Sequence, residues 1–283
     1  MENHKKIKLA AFDLDGTLLN SEKKISEENK NAIEAAIKKG VHVVPATGRT
    51  NKGIPKELLA IEGIRYAICA NGASIVDLKE GKVLHKQYLS LQLIEEIMSQ
   101  IGKYDLIIDI LSDGKIISEE RNQKRIYSFL IPENMHSYVL STRTWVKDVM
   151  EYANNNGDKL EKINLFFQTI EQRSEVKEVL SQNEQIVITS SLDTNLEINQ
   201  VNANKGTGLS WLSKYLGLSI EEVMACGDSE NDLEMMNTAG LSVAMGNGNR
   251  DVKDAADVIT LTNDENGVAS AINRYILDDS LSE

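Results

Sequence analysis

The feature that most constrains this chain is a short apolar run, Leu9-Ala-Ala-Phe12, that stops abruptly at Asp13-Leu-Asp15-Gly-Thr17. An unbroken apolar run bounded by a turn is the pattern of a strand buried on both faces of a parallel sheet. A strand is therefore expected over residues 7–12. Alternate side chains of a strand point the same way, so Asp13 and Asp15 project together where it ends. Close carboxylates raise each other's pKa unless a cation or hydrogen-bond donors lie between them. A strand followed by an Asp-Gly turn accounts for Asp15 and Gly16. It leaves Asp13, set directly against apolar residues, without an explanation.

The rest of the chain repeats the strand-then-turn pattern. Ser26 is a candidate N-cap for a helix whose apolar positions Ile33, Ala36 and Ile37 recur at helical spacing, with Gly40 as its stop. Val41 to Ala46 reads as a second buried strand, ending in Thr47-Gly48-Arg49, before a helix over 51–60 and a strand at Tyr66–Cys69. This alternation predicts a parallel sheet with helices on its faces. Asn71-Gly72 then signals a hairpin or a plain loop tip, and strands at 73–77 and 82–87 flank a turn at Glu80-Gly81. From about residue 88 to 200 the rhythm is different: helices at 90–103 and 171–181, and strands at 106–111, 115–119, 162–168, 185–190 and 195–199. Residues 120–160 show no single pattern. The parallel pattern resumes with a helix from Lys205 to Tyr215, strands at 223–226, 241–244 and 257–260, and helices at 229–237, near 249–254 and at 265–276. The expected fold class is α/β, a Rossmann-like parallel-sheet core with an inserted α+β domain. The core takes residues 1–84 and 201–283, and the insertion 85–200. The acidic tail after Leu277 is expected to be loose.

Composition limits the partners. A formal charge of −12 over 283 residues argues against nucleic acid and anionic membranes, so an anionic substrate requires local positive charge or a metal ion. Cys69 and Cys226 each sit in an apolar run, which fits small buried thiols in a reducing compartment. The apolar stretch after the first residues is too short for a signal peptide, and no run has the length of a transmembrane helix. A soluble, cytoplasmic protein is expected. Oligomeric state is not legible, and a monomer is the favoured expectation.

In open α/β sheets, ligands bind outside the carboxyl ends of the strands. Three such ends here carry polar groups: Asp13 with Asp15; Thr47, Gly48 and Arg49; and Asp228 with Asn231 and Asp232. A hydroxyl, glycine amides and acids at adjacent strand ends suit a phosphoryl group and a hard cation such as magnesium, which takes oxygen ligands. The lack of His and Cys at these ends argues against zinc. Lys205 opens a helix, where a cation opposes the helix dipole at a cost of about 0.3–1 kcal/mol. It is either a tolerated exposed lysine or a cation aimed at an anion. Asp228 to Asp232 supplies more acids than helix capping needs.

Asp13-Leu-Asp-Gly-Thr17, Ala46-Thr-Gly-Arg49, Asn204-Lys-Gly206 and Gly227-Asp-Ser-Glu-Asn-Asp232 together resemble the four motifs of the haloacid dehalogenase-like superfamily. Ala70-Asn-Gly-Ala73, Val243-Ala-Met-Gly-Asn247, Asn266-Gly-Val-Ala269 and the long insertion resemble its Cof-type branch, with a type IIB cap. The resemblance implies Asp13 as the nucleophile that forms an aspartyl-phosphate, and Asp15 as the acid and base. It implies Thr47, Gly48, Lys205 and Asn231 as phosphate-binding groups. Magnesium would be held by Asp13, the backbone carbonyl of Asp15, and Asp228, with Asp232 in support. The insertion would be a cap that excludes water and selects the leaving group, with Arg49 and Asn71 as further specificity residues; equally, Arg49 would pair with an acid and Asn71 would serve as a turn residue. The chain departs from the family at Ser229, where asparagine is frequent, at Gly248, where alanine is common, and at Gln200–Asn204, where proline and glycine are frequent.

The expected activity is magnesium-dependent hydrolysis of small phosphorylated metabolites, sugar phosphates first among them. The alternatives are a phosphosugar mutase using the same motifs and a non-enzymatic binding protein on the same fold.

Overall fold

The computed structural model describes residues 6–278, so residues 1–5 and most of the acidic tail lie outside the described residues. The chain falls into two compact units. One comprises the chain up to Lys86 together with everything from Asn204 onward; the other is Gln87–Ala203.

The first unit begins β1 (Leu9–Phe12), α1 (Glu27–Lys38), β2 (His42–Pro45), α2 (Lys56–Leu59), β3 (Tyr66–Cys69), β4 (Ser74–Asp77), β5 (Lys82–Lys86). Ser26 caps α1 as expected, its side chain accepting from the Asn29 amide. The helix expected over 51–60 is shorter: Pro55 has no amide to give to a helix, and only a 3-10 turn at Asn51–Gly53 precedes α2. β3 and β4 form an antiparallel hairpin around Asn71 and Gly72.

The second unit runs α3 (Leu91–Ile101), β6 (Ile107–Ser112), β7 (Lys115–Glu119), α4 (Asn122–Arg125), α5 (His136–Thr142), β8 (Arg143–Val146), α6 (Val149–Asn155), β9 (Leu160–Phe166), α7 (Ile170–Leu180), β10 (Ile186–Thr189), β11 (Asn195–Gln200). Its sheet has the order β10-β11-β9-β6-β7-β8, antiparallel except between β7 and β8. Period-2 alternation puts Ile110, Ile117, Ile163 and Ile198 on the face packed with α3 and α7. Asp109, Ser118, Asn164 and Glu197 share a register row on the opposite face. The strand β8 lies in the stretch that showed no pattern.

The chain then returns to the first unit with α8 (Lys205–Tyr215), β12 (Val223–Gly227), α9 (Leu233–Thr238), β13 (Leu241–Ala244), α10 (Arg250–Ala255), β14 (Val258–Ile259), α11 (Gly267–Ile272). Asn266 adopts a left-handed conformation (φ 62°), which breaks the expected 265–276 helix before α11. The core sheet is parallel, in the order β14-β13-β12-β1-β2. Ala10 and Phe12 bury against one helical layer, Leu9 and Ala11 against the other. Burial on both faces is why β1 reads as a continuous apolar run. β1 lies between β12 and β2, with Phe12 in register with Cys226 and Pro45. Asp13 therefore leaves the middle of the sheet, flanked by the strand ends that lead to Thr47 and Asp228. Among the described residues, no helix is long and apolar enough to cross a membrane.

Candidate active site

The residues after β1, β2 and β12 meet at one edge of the core sheet. Asp13 is fixed by its amide, which donates to the Cys226 carbonyl at 3.0 Å. Lys205, the first residue of α8, is wholly buried and is no tolerated surface lysine. Its Nζ donates to Asp13 Oδ1 at 2.5 Å and to Asp232 Oδ1 at 2.6 Å. A lysine at a helix start would face the dipole unaided; here two carboxylates offset both dipole and burial. They hold its ammonium well above the ordinary lysine range although burial works the other way. α8 is capped by Asn204, whose side chain accepts from the Thr207 amide at 2.8 Å. The departure before Lys205 thus leaves a complete cap. Gly206 allows the helix to lie close to α9, since a Cβ there would collide with the Glu234 carbonyl.

Asp232 is wholly buried and uses both oxygens: Oδ1 takes Lys205, and Oδ2 accepts from the Asp228 and Ser229 amides at 2.9 and 3.1 Å. It fixes the loop that presents Asp228. Asp228 Oδ1 accepts from Thr17 Oγ1 at 2.7 Å. Gly16 makes this approach possible: it has φ +84°, and a Cβ there would strike the Asp228 carboxylate. One oxygen each of Asp13, Asp228 and Asp232 lie within 4.8 Å of one another. Burial, opposed by Lys205 and reinforced by Asp232 and Asp228, pushes Asp13 well above the ordinary carboxylate range. Burial and the charge of Asp232 push Asp228 up to about 7. Three carboxylates share one ammonium, and an all-oxygen donor set with surplus negative charge fits a hard divalent cation.

Asp15 belongs to a different ionic group. Arg49 grips it with two bonds, Nε to Oδ2 and Nη2 to Oδ1, both 2.7 Å, and Lys23 Nζ donates to Oδ1 at 2.8 Å. Burial acts to raise Asp15, but Arg49 and Lys23 overcome it and bring the carboxyl down to about 2. Thr47 is buried; its Oγ1 accepts from the Arg49 amide at 3.1 Å, with Gly48 between them. Asn231, also buried, donates through Nδ2 to Asn71 Oδ1 at 3.3 Å, while Ser229 Oγ donates to Asn231 Oδ1 at 2.8 Å.

Three contributors were missed in the sequence. Thr17 stands inside the first motif yet carries no polarity pattern of its own. Lys23 reaches Asp15 from a turn in which it takes φ 62°, a conformation with no sequence signal at lysine. Asn247 donates to the Gly16 carbonyl at 2.8 Å from 231 positions away.

The sequence model of the haloacid dehalogenase-like hydrolases matches residues 10–272. The chain is 35% identical over 275 residues to the 5-amino-6-(5-phospho-D-ribitylamino)uracil phosphatase YcsE of Bacillus subtilis, covering 96% of each protein. It is 32% identical to the phosphatase YwpJ of the same organism, covering 95% of this chain and all of the relative. Among solved structures, a haloacid dehalogenase-like hydrolase from B. subtilis superposes with a TM-score of 0.82 at 31% identity, covering 95% of this chain and all of the other. The subclass IIB sugar phosphatase BT4131 superposes with a TM-score of 0.79 at 25% identity, covering 95% of this chain and 98% of the other.

Proposed function

The chain belongs to the haloacid dehalogenase-like hydrolases as one of their phosphatases, and on that premise we propose that it hydrolyses small phosphorylated metabolites, sugar phosphates foremost, with magnesium and through an aspartyl-phosphate on Asp13. The observation that carries this reading is Lys205, buried without exposure and shared between Asp13 and Asp232 beside Asp228. A lysine so placed orients the nucleophile and leaves a surplus of acid for a cation.

In this reading an oxygen of Asp13 attacks phosphorus, and the bond to the leaving alcohol breaks. Asp15 gives that alcohol a proton, then takes one from the water that attacks the aspartyl-phosphate, releasing inorganic phosphate and restoring Asp13. In the conformation described Asp15 is ionised and ready as a base. To give a proton it must first part from Arg49. Thr47, the Gly48 amide, Lys205 and Asn231 donate to the phosphoryl oxygens, whose charge grows in the transition state. Asp13, the Asp15 carbonyl and Asp228 would hold magnesium, with Asp232 steadying Asp228 through its amide; bound there, the ion supplies Lewis-acid stabilisation of the phosphoryl charge.

Sugar phosphates are favoured because the phosphorylated ribityl chain in the name of one relative, and the sugar phosphatase among the structural neighbours, both point to phosphate on a polyhydroxylated carbon chain. The buried thiols of Cys69 and Cys226 fit a reducing, cytoplasmic setting. The test is phosphate release from a panel of phosphorylated metabolites. Preferential turnover of sugar or polyol phosphates supports the reading, and equal or better turnover of unrelated phosphate esters removes the substrate class.

A further inference from the structure

The loop after β3 takes three consecutive left-handed residues: Ala70 (φ 48°), Asn71 (φ 57°) and Gly72 (φ 91°). Glycine adopts such angles freely and asparagine tolerates them, but alanine does so at a cost. Strain of this kind persists only where the surroundings enforce it, and it gathers at functional sites. The surroundings here are the phosphate-handling elements. The Ala70 amide donates to the Arg49 carbonyl at 2.8 Å, and the Asn71 amide to the Thr47 carbonyl at 3.0 Å. The two bonds tie down the loop after β2. Gly72 lies against the backbone of Asn204, the cap of the helix that begins at Lys205, and a Cβ on Gly72 would collide with the Asn204 carbonyl. Gly208, in the same helix, would bring a Cβ to 3.4 Å from the Gly72 Cα. The Asn71 side chain, only 2% exposed, accepts from Asn231.

One short loop thus touches the segments that carry Thr47, Lys205 and Asn231. These come from three separate parts of the chain, and Asn71 joins the loop after β3 to Asn231. We propose that Ala70-Asn71-Gly72 is a positioning clamp: it fixes Thr47, Lys205 and Asn231 at the spacing a phosphoryl group requires, and Asn71 acts through Asn231. This rests on the phosphatase reading and adds to it a division of labour. A residue that acts through a phosphate ligand affects all phosphate esters alike. A residue that touches the leaving group alters the ranking among them.

The test is the Asn71→Gly variant, which keeps the left-handed backbone and removes the side-chain acceptor. A displacement of about 1 Å at a reacting centre costs on the order of 100-fold, so a loss of roughly 10- to 100-fold in kcat/KM is expected. The same factor should appear for p-nitrophenyl phosphate and for a sugar phosphate, with inhibition by inorganic phosphate weakened in parallel and the melting temperature near that of the wild type. Asn71→Gly/Asn231→Ala should be no slower than Asn231→Ala alone, because the clamp has nothing left to position. A factor that differs severalfold between the two esters, additive losses in the double variant, or wild-type kinetics in Asn71→Gly would each overturn the clamp. Wild-type protein that releases no phosphate from any ester would defeat the phosphatase reading instead. In that case the affinity of Asn71→Gly for inorganic phosphate, measured by calorimetry, still decides the clamp: a weakened affinity supports it, and an unchanged one overturns it.

Discussion

Both units of this protein bury charge, and the ion pairs of one contrast with the acidic cluster of the other. In the inserted unit two buried ion pairs are each matched one to one. Arg143 donates through Nε and Nη2 to Asp109 Oδ2 at 3.0 and 2.9 Å, and Lys162 meets Glu197 at 3.0 Å. In the core unit one buried ammonium, Lys205, serves a cluster of three carboxylates, Asp13, Asp228 and Asp232. Matched pairs leave no net charge to be balanced. A surplus of negative charge is tolerated only by raised carboxyl pKa values or by an added cation. On the proposed reading, the difference separates ion pairs that belong to the architecture from a cluster that is ready for a ligand.

The largest expected effect tests the ready cluster. Asp13→Asn should lower phosphatase turnover by roughly 10⁴-fold or more, since it removes the attacking oxyanion, as steady-state phosphate release would show. Asp15→Asn should also turn over slowly, by about 10²- to 10⁴-fold, while still binding magnesium in a calorimetric titration. Loss of magnesium binding in that variant would contradict the assignment of only its backbone carbonyl to the metal.

The next effect tests the matched pairs. Arg143→Ala leaves the buried Asp109 carboxylate without its guanidinium and should cost about 3–5 kcal/mol in chemical denaturation. Replacing both partners, Asp109→Leu with Arg143→Met, should be close to neutral. In the core the outcome should reverse: Asp228→Asn removes a repelled charge, so the metal-free protein should gain on the order of 1 kcal/mol and lose any melting-temperature response to magnesium. If Asp228→Asn destabilises the metal-free protein as much as Arg143→Ala does, the contrast between the units fails.

The last effect is in the pH dependence. Asp228 is raised in the fold from 3.8 to about 7. A carboxyl raised by folding keeps its proton in the native state at pH values where the unfolded chain has lost it. The stability of the metal-free protein should therefore fall as pH rises from about 4 to about 7. Magnesium should restore it, with a melting-temperature gain of a few degrees that shrinks at pH 5, where protons occupy the carboxylates. An equal gain at pH 5 and pH 7.5 would place the ion elsewhere.

How much of this was legible follows from the range of the interactions. The apolar run before Asp13 announces a doubly buried strand because both of its faces are covered. The polar ends of β2 and β12 announce a site because such ends meet in a parallel sheet. Lys205 could be singled out because a cation at a helix start is locally wrong and needs a partner. Its partners, Asp13 and Asp232, stand 192 and 27 positions away, and no local pattern fixes their distance to it. Lys23 and the left-handed Ala70 were hidden for the same reason: contacts set their backbone angles, not propensity. β8 was illegible because its pairing with β7 follows a long irregular connection, where neither period dominates. The failed helix over 51–60 is different, since Pro55 was in plain view and carried the correct signal.

The central claim is that the unbalanced cluster at the end of β1 is a cation-assisted phosphoryl-transfer site with Asp13 as its nucleophile. The most direct measurement is phosphate release from p-nitrophenyl phosphate by chelator-treated protein, with and without added magnesium, for the wild type and for Asp13→Asn. The account predicts release by the wild type that depends on magnesium and no release by Asp13→Asn above the uncatalysed rate. Wild-type release that is indifferent to magnesium, or an Asp13→Asn variant that keeps wild-type activity, would contradict it.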